Sequence, residues 1–160
     1  MLTVIFPGSF DPPTNGHLNI IDRISNIYDM VYVVVADNSA KSYTFTAAER
    51  REMAEELAEP YDNVEVQLWS GLIVRFAEQV GAKLMVRGVR ALADFNYEFE
   101  LSMVNRGLSP HVETIFVPTD PQFFVLRSSA IKELARLGGD ISTMVPASVA
   151  TRLHERMAGS

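Results

Sequence analysis

Three short runs in this 160-residue chain carry residue types and spacings suited to holding phosphate and transferring it. The first is Pro7-Gly8-Ser9-Phe10-Asp11-Pro12-Pro13-Thr14-Asn15-Gly16-His17, set between an apolar run and the first turn of an amphipathic helix. Gly8 and Gly16 let a ligand approach the main chain, Ser9 offers a hydroxyl and an amide, and a helix N-terminus favours an anion. His17 sits within reach of that anion, although alone it reads equally well as a surface histidine. The run is neither a G-x-x-x-x-G-K-[ST] loop nor a G-x-G-x-x-G loop, so those two phosphate-binding devices are ruled out. The second run is Arg87-Gly88-Val89-Arg90, followed by Asp94 and Glu98. Two guanidinium forks beside a glycine take phosphate in bidentate fashion, which lysine cannot do. Glu98, one helical turn past Asp94, could accept from a ligand hydroxyl or amine. The plainer reading is a solvated charge cluster with Phe95 and Tyr97 in the core. The third run is Phe123-Phe124-Val125-Leu126-Arg127-Ser128-Ser129. Paired serines before a helix are N-cap residues, and the same free amides and hydroxyls bind phosphate. Residue type alone gives no role to Lys41, which reads as a solvated loop lysine, or to Ile73, which reads as core.

These runs must be positioned by strands and helices. Apolar, β-branched stretches at Leu2–Phe6, Val31–Ala36, Val64–Leu68, Leu84–Val86 and Thr114–Val117 predict strands covered on both faces. Helical stripes fall between them. Leu18, Ile21, Ile24 and Tyr28 make one stripe, and Thr46 and Glu49 have capping-box spacing ahead of Met53 and Leu57. Leu72, Ile73, Phe76, Ala77 and Val80 make a third stripe, stopped by Gly81. Asp94 is the expected cap of a fourth helix through Tyr97, Leu101 and Val104. A fifth spans Ser129–Leu137 before Gly138-Gly139, and a terminal helix begins near Pro146. Strand alternating with helix implies βαβ units, a parallel sheet and helices on both faces. No linker or repeat interrupts the chain, so residues 1–160 are expected to form one doubly wound α/β domain. Ligands of such folds sit beyond the carboxyl ends of the strands, where strand order reverses. With order 3-2-1-4-5, the first and second runs face one crevice.

Composition narrows the partners. Hydrophobic residues make up 48% and charged residues 21%, which are globular values. Cysteine is absent, removing disulfides, thiolate catalysis and Cys-ligated metals. A net charge of −6 disfavours a nucleic-acid partner, so any anionic ligand needs a local cluster of cations. No apolar run approaches the roughly 18 residues of a membrane span, and the N-terminus lacks a signal-peptide pattern. A cytoplasmic protein without membrane attachment is expected.

Gly8-Ser9-Phe10-Asp11-Pro12 followed by Thr14-Asn15-Gly16-His17 resembles the signature of the nucleotidylyltransferase superfamily, with its T/H-x-G-H element. Three further stretches bring the chain closest to the bacterial phosphopantetheine adenylyltransferases. They are Phe45-Thr46 through Glu49-Arg50-Arg51, Arg87-Gly88-Val89-Arg90 through Asp94-Phe95-Asn96-Tyr97-Glu98, and Ser128-Ser129 leading into Lys132-Glu133. The T-x-G-H element is moderately specific; joined to R-G-x-R…D-F-x-Y-E it is highly specific, and the resemblance covers nearly the whole chain. It implies a Rossmann-like fold, adenylyl transfer from ATP to 4′-phosphopantetheine, Mg²⁺ as cofactor and a homohexamer. The resemblance assigns catalysis to His17, Lys41 and Arg90, with His17 stabilising the transition state. It assigns ATP to Ser9, Phe10, His17, Gly88, Val89, Arg90, Glu98, Phe123, Phe124, Val125, Leu126, Arg127, Ser128 and Ser129. It assigns phosphopantetheine to Ser9, Lys41, Ile73 and Arg87. Two positions depart from the pattern: Ser9 stands where Thr is common, and Arg127 where a third Ser is common. Competing readings are a nucleotidylyltransferase for another acceptor, such as nicotinamide mononucleotide or a sugar phosphate, and a nucleotide sensor without chemistry. The Lys41, Arg87 and D-F-x-Y-E context argues against the first, and the retained His17 and acceptor cations against the second.

Overall fold

The computed structural model describes residues 1–123 and 127–159. Its centre is a five-stranded parallel sheet in the order β3-β2-β1-β4-β5. The strands are β1 (Thr3–Gly8), β2 (Met30–Ala36), β3 (Val64–Trp69), β4 (Leu84–Val89) and β5 (Glu113–Pro118). The helices are α1 (Asn15–Ser25), α2 (Ala47–Ala58), α3 (Ile73–Val80), α4 (Leu92–Leu108), α5 (Ser128–Arg136) and α6 (Ala147–Ala158), with a short 3₁₀ turn at Pro121–Phe123. Val4 and Ile5 of β1 and Val31, Val33, Val34 and Val35 of β2 are fully buried, as both faces of a covered parallel strand must be. One face of the sheet packs Val4, Phe6 and Val33 against Ile20, Ile21 and Ile24 of α1 and Ala54 of α2. The other packs Ile5, Val34 and Met85 against Val74, Phe76 and Ala77 of α3. The outer side of α2, through Met53 and Leu57, joins Ile131 and Leu153 in a third cluster that seats α5 and α6.

Several local expectations are corrected. β4 continues past Val86, because Arg87, Gly88 and Val89 keep the ladder register opposite Phe116, Val117 and Pro118 of β5. Arg87 and Gly88 are therefore strand residues, held by main-chain pairing. The fourth helix starts at Leu92 behind the N-cap Ala91, which makes no side-chain cap, and Asp94 is its third residue. From there the Asp94 carboxylate accepts from the amide of Arg90, the residue before the cap, at 3.3 Å. Ser128 and Ser129 are the first two residues of α5 and not its cap; Arg127 takes the cap position. Tyr28 lies beyond the end of α1. In α4 no residue is buried, with Tyr97 at 59% and Phe95 at 36% exposure, so neither aromatic belongs to the core. Among the described residues no helix is long and apolar enough to cross a membrane.

Candidate active site

β1 and β4 are neighbours where the strand order reverses, and a cavity of about 410 Å³ opens beyond their carboxyl ends. Parts of all three runs line it: Ser9 and His17 from the first, Arg87, Gly88, Arg90 and Glu98 from the second, and Arg127, Ser128 and Ser129 from the third. A second cavity of about 380 Å³ shares Pro7, Arg87 and Glu98 with the first and extends to Lys41 and Ile73. Lys41 also meets Ser9, His17 and Ser128 around a third, smaller hollow. The convergence that strand order 3-2-1-4-5 implied is thus present.

His17 is built into the start of α1. Thr14 caps the helix, its hydroxyl accepting from the His17 amide at 3.3 Å, while the Thr14 amide donates to His17 Nδ1 at 3.0 Å. The histidine side chain fills the place that Glu or Gln holds in an ordinary capping box. With Nδ1 accepting, the neutral ring carries its hydrogen on Nε2, which makes Nε2 a donor. The ring packs on Phe10, centroids 4.8 Å apart. Burial, then the Arg90 and Arg87 guanidinium charges, lower its pKa from 6.5 to about 4. His17 is therefore neutral at neutral pH.

Phe10 is itself unusual, with φ at +49° and 2% exposure. A bulky residue in the left-handed region needs support, and Gly8 supplies it, since a Cβ there would come within 3.1 Å of the Phe10 ring. The Phe10 ring fills the space a side chain at Gly8 would need, while the Gly8 main chain lines the main cavity.

The arginines of the second run are engaged. Arg87 Nε and Nη2 donate to the two oxygens of Glu98 at 2.6 and 2.7 Å, and Nη1 donates to the Pro7 carbonyl at 2.6 Å. Three of the five guanidinium donors are used, and two remain for a ligand. Both Glu98 oxygens accept from Arg87, and Glu98 lines the main cavity, where it was expected to meet a ligand hydroxyl or amine. Arg90 and Arg127 share the Asp94 carboxylate, at 3.1 and 3.3 Å. Three guanidinium groups thus face two carboxylates in the main cavity, a local cationic excess in an acidic chain.

Other expected residues lie elsewhere. Val89 ends β4 opposite Pro118, and Phe123 packs against the third core cluster. Phe124, Val125 and Leu126 lie outside the described residues. Ser128 faces the main cavity while its hydroxyl donates to the Pro12 carbonyl at 3.0 Å.

Two buried charges brace this crevice; both fall in stretches that carried the family resemblance, but neither was given a role there. Asp11 accepts from the Thr44 and Phe45 amides at 2.9 Å each and from Lys132 Nζ at 3.2 Å, tying the first run to the Lys41 loop and to α5. Arg50, fully buried in α2, binds the ends of β1 and β2. By sequence it stands among Glu49, Arg51 and Glu52 and looks like one more solvated charge.

Residues 5–134 match the family model described as cytidylyltransferase-like. A phosphopantetheine adenylyltransferase of Caldanaerobacter subterraneus subsp. tengcongensis is 44% identical over 160 residues, covering all of both chains. One from Alkaliphilus metalliredigens is 48% identical over 142 residues, 89% of this chain and 90% of its own. The chain belongs to the phosphopantetheine adenylyltransferase family. The crystal structure of a provisionally assigned nicotinate-nucleotide adenylyltransferase from Vibrio parahaemolyticus superposes with a TM-score of 0.69, covering 96% of this chain and 99% of that one at 20% identity. At that identity the superposition speaks for the shared Rossmann-like fold alone. In the crevice of this chain Arg127 is set against Asp94 beside Arg90.

Proposed function

We propose that this chain transfers the adenylyl group of ATP to 4′-phosphopantetheine, releasing pyrophosphate and dephospho-coenzyme A. The observation that carries this reading is the meeting of His17, Arg87, Arg90, Ser128 and Ser129 in one crevice that continues to Lys41 and Ile73. Two polyanions have to be brought together in line, and the site supplies two cationic stations for them. Arg90, Arg127, Ser128 and Ser129 take the triphosphate. Lys41, the remaining donors of Arg87 and the Ser9 hydroxyl take the acceptor phosphate, with the pantetheine arm running past Ile73. The acceptor phosphate is already an anionic nucleophile, since its second pKa is about 6, and no general base is needed. Charge builds on the α-phosphate during attack, and the neutral His17 Nε2–H donates to it there. Because Thr14 holds Nδ1, the donor is oriented before the substrate arrives.

Mg²⁺ is the proposed cofactor, supplying charge screening of the triphosphate. No group of three or more potential ligands forms a metal cage among the described residues, and Asp94 and Glu98 are engaged with arginines. The ion would therefore be held mainly by phosphate oxygens and water.

We assign the protein to a homohexamer in the cytoplasm. Support for self-association comes from α4, which shows Leu92, Phe99, Met103, Val104 and Leu108 at 42–78% exposure. Exposed apolar side chains concentrated on one helix fit an interaction surface. Light scattering at working concentration should give six chain masses; a monomer mass would count against this.

Pyrophosphate release from ATP and Mg²⁺ with a panel of acceptors tests the reaction. Turnover with 4′-phosphopantetheine, and none with nicotinamide mononucleotide or sugar phosphates, is the expected result. Direct transfer also inverts configuration at the α-phosphorus. Retention, or AMP trapped on His17, would refute the mechanism even with the overall reaction intact.

A further inference from the structure

We propose that Arg50 is a positioning residue for the acceptor half of the crevice, fixing the loop that carries Lys41 and the main chain at Ser9. This rests on the reading above in which Lys41 and Ser9 meet the acceptor phosphate. Arg50 is fully buried in α2, and its guanidinium is shared among three segments. Nε donates to the Phe45 carbonyl at 3.2 Å. Nη1 donates to the Ser9 and Ala36 carbonyls, both at 2.9 Å. Nη2 donates to Asp37 Oδ1 at 2.7 Å. Four of the five donors are accounted for, and the flat face of the group lies 3.8 Å from the centroid of the Tyr43 ring.

From that stack the contacts run on to Lys41. The Tyr43 hydroxyl accepts from the Asn38 amide at 3.0 Å. Asn38 then accepts from the Ala40 amide through its side chain and from the Lys41 amide through its carbonyl, each at 2.9 Å. The loop between β2 and α2 is thus wrapped around one guanidinium, with its far end held by Asp11 through the Thr44 and Phe45 amides. Burying a charge is costly in itself, and apolar packing of the same volume often serves stability as well. A packed apolar side chain, however, could not hold three carbonyls and a carboxylate at fixed separations. Of these, the Ser9 and Ala36 carbonyls lie at the ends of β1 and β2, beside the place where the acceptor phosphate would sit. Arg50 does not itself line the crevice, so its effect on substrate has to pass through Ser9 and the loop.

The test is the Arg50→Lys variant of the full chain, which keeps the charge but loses the planar fork and the stack. Steady-state kinetics with ATP and 4′-phosphopantetheine should show KM for phosphopantetheine raised about tenfold or more, with KM for ATP within about threefold. Hydrogen exchange of amides in residues 37–45 should accelerate while α5 stays protected. In a Lys41→Ala background the further effect of Arg50→Lys on phosphopantetheine KM should largely vanish, because the two act in series. Unchanged KM for both substrates with only a smaller active fraction would overturn the proposal and leave Arg50 a stability residue. An equal rise in both KM values would overturn it as well. If Lys41→Ala alone left phosphopantetheine KM unchanged, the assignment of Lys41 would fail. Arg50 would then be judged by loop exchange, where unaltered protection of residues 37–45 sinks it. Should Arg50→Lys not fold, Tyr43→Leu removes the stack and the Asn38 contact from the accessible side, and the same selective shift is expected at smaller size.

Discussion

Arg50 and Arg87 bring the same guanidinium to the same crevice, one from below its β2 wall and one from its β4 wall. Arg50 has no exposed side-chain surface and gives most of its donors to main-chain carbonyls, whereas the Arg87 and Arg90 side chains are 25% and 24% exposed and lean on Glu98 and Asp94. Carbonyls inside the fold have no other donor to turn to, so the Arg50 contacts cannot be traded for a ligand without leaving buried acceptors unpaired. Carboxylates at the crevice face can be traded, because water and an anionic ligand reach both members of the pair. One wall is built to stay fixed and the other to exchange partners. Burial, and not residue type, separates them.

The sharpest way to test the exchanging wall is His17→Ala. Removing a transition-state donor typically costs about 10²–10³ in turnover, so kcat should fall by that order. The ATP dissociation constant should stay within a few-fold. A large loss of ATP affinity with unchanged kcat would move His17 into ground-state binding.

Next in size is Arg87→Ala, which takes away a charged fork worth about 1.5–3 kcal/mol per hydrogen bond. Use of phosphopantetheine should weaken roughly ten- to over a hundred-fold with ATP affinity held. If ATP affinity fell as far while acceptor affinity held, the two phosphate stations would be reversed.

On the fixed wall, Asp11→Asn should behave oppositely. It keeps the shape but gives up the charge that holds Lys132 and two loop amides. Denaturant unfolding should show a loss of about 1–3 kcal/mol, with the ratio of the two KM values altered less than in Arg87→Ala. A selective loss of substrate affinity at unchanged stability would break the division between the walls.

The last effect is with pH. Unfolded, His17 binds a proton near its ordinary 6.5, while in the fold burial and the Arg90 and Arg87 charges keep it neutral down to about 4. Between those values the unfolded state binds the extra proton, so stability declines as pH falls through that window and changes no further below it. The decline is about 3 kcal/mol. His17→Gln preserves the T-x-x-Q capping box and should remove this part of the acid sensitivity. Equal pH–stability profiles for the two proteins would show that His17 is not held neutral.

Much of the site was legible because its signals are local. The helix start at His17, the two arginines around Gly88 and the serines of α5 can each be read within a few residues. Their meeting followed from the strand order alone. What escaped was contact at long range. Glu98 read as a ligand acceptor, and its double contact with Arg87 had no local sign. Asp94 read as a helix cap, yet it bridges Arg90 and Arg127 across 33 residues of chain. α4 read as an ordinary packed helix, yet it buries none of its residues within the chain.

By itself, then, the sequence determined the alternation of strand and helix, the sites of the phosphate-binding turns and the family. All of these rest on periodicities and motifs shorter than one element. Arg50 and Arg51 mark the limit of that reading. They are adjacent, identical in type and flanked by the same glutamates, but the Arg50 side chain is fully buried while that of Arg51 is 48% exposed and pairs with Glu55. A step of one residue turns a side chain by about 100° around a helix. Only the packing of α2 against the ends of β1 and β2 decided which of the two turns inward, because the carbonyls that receive Arg50 come from segments up to 41 residues away.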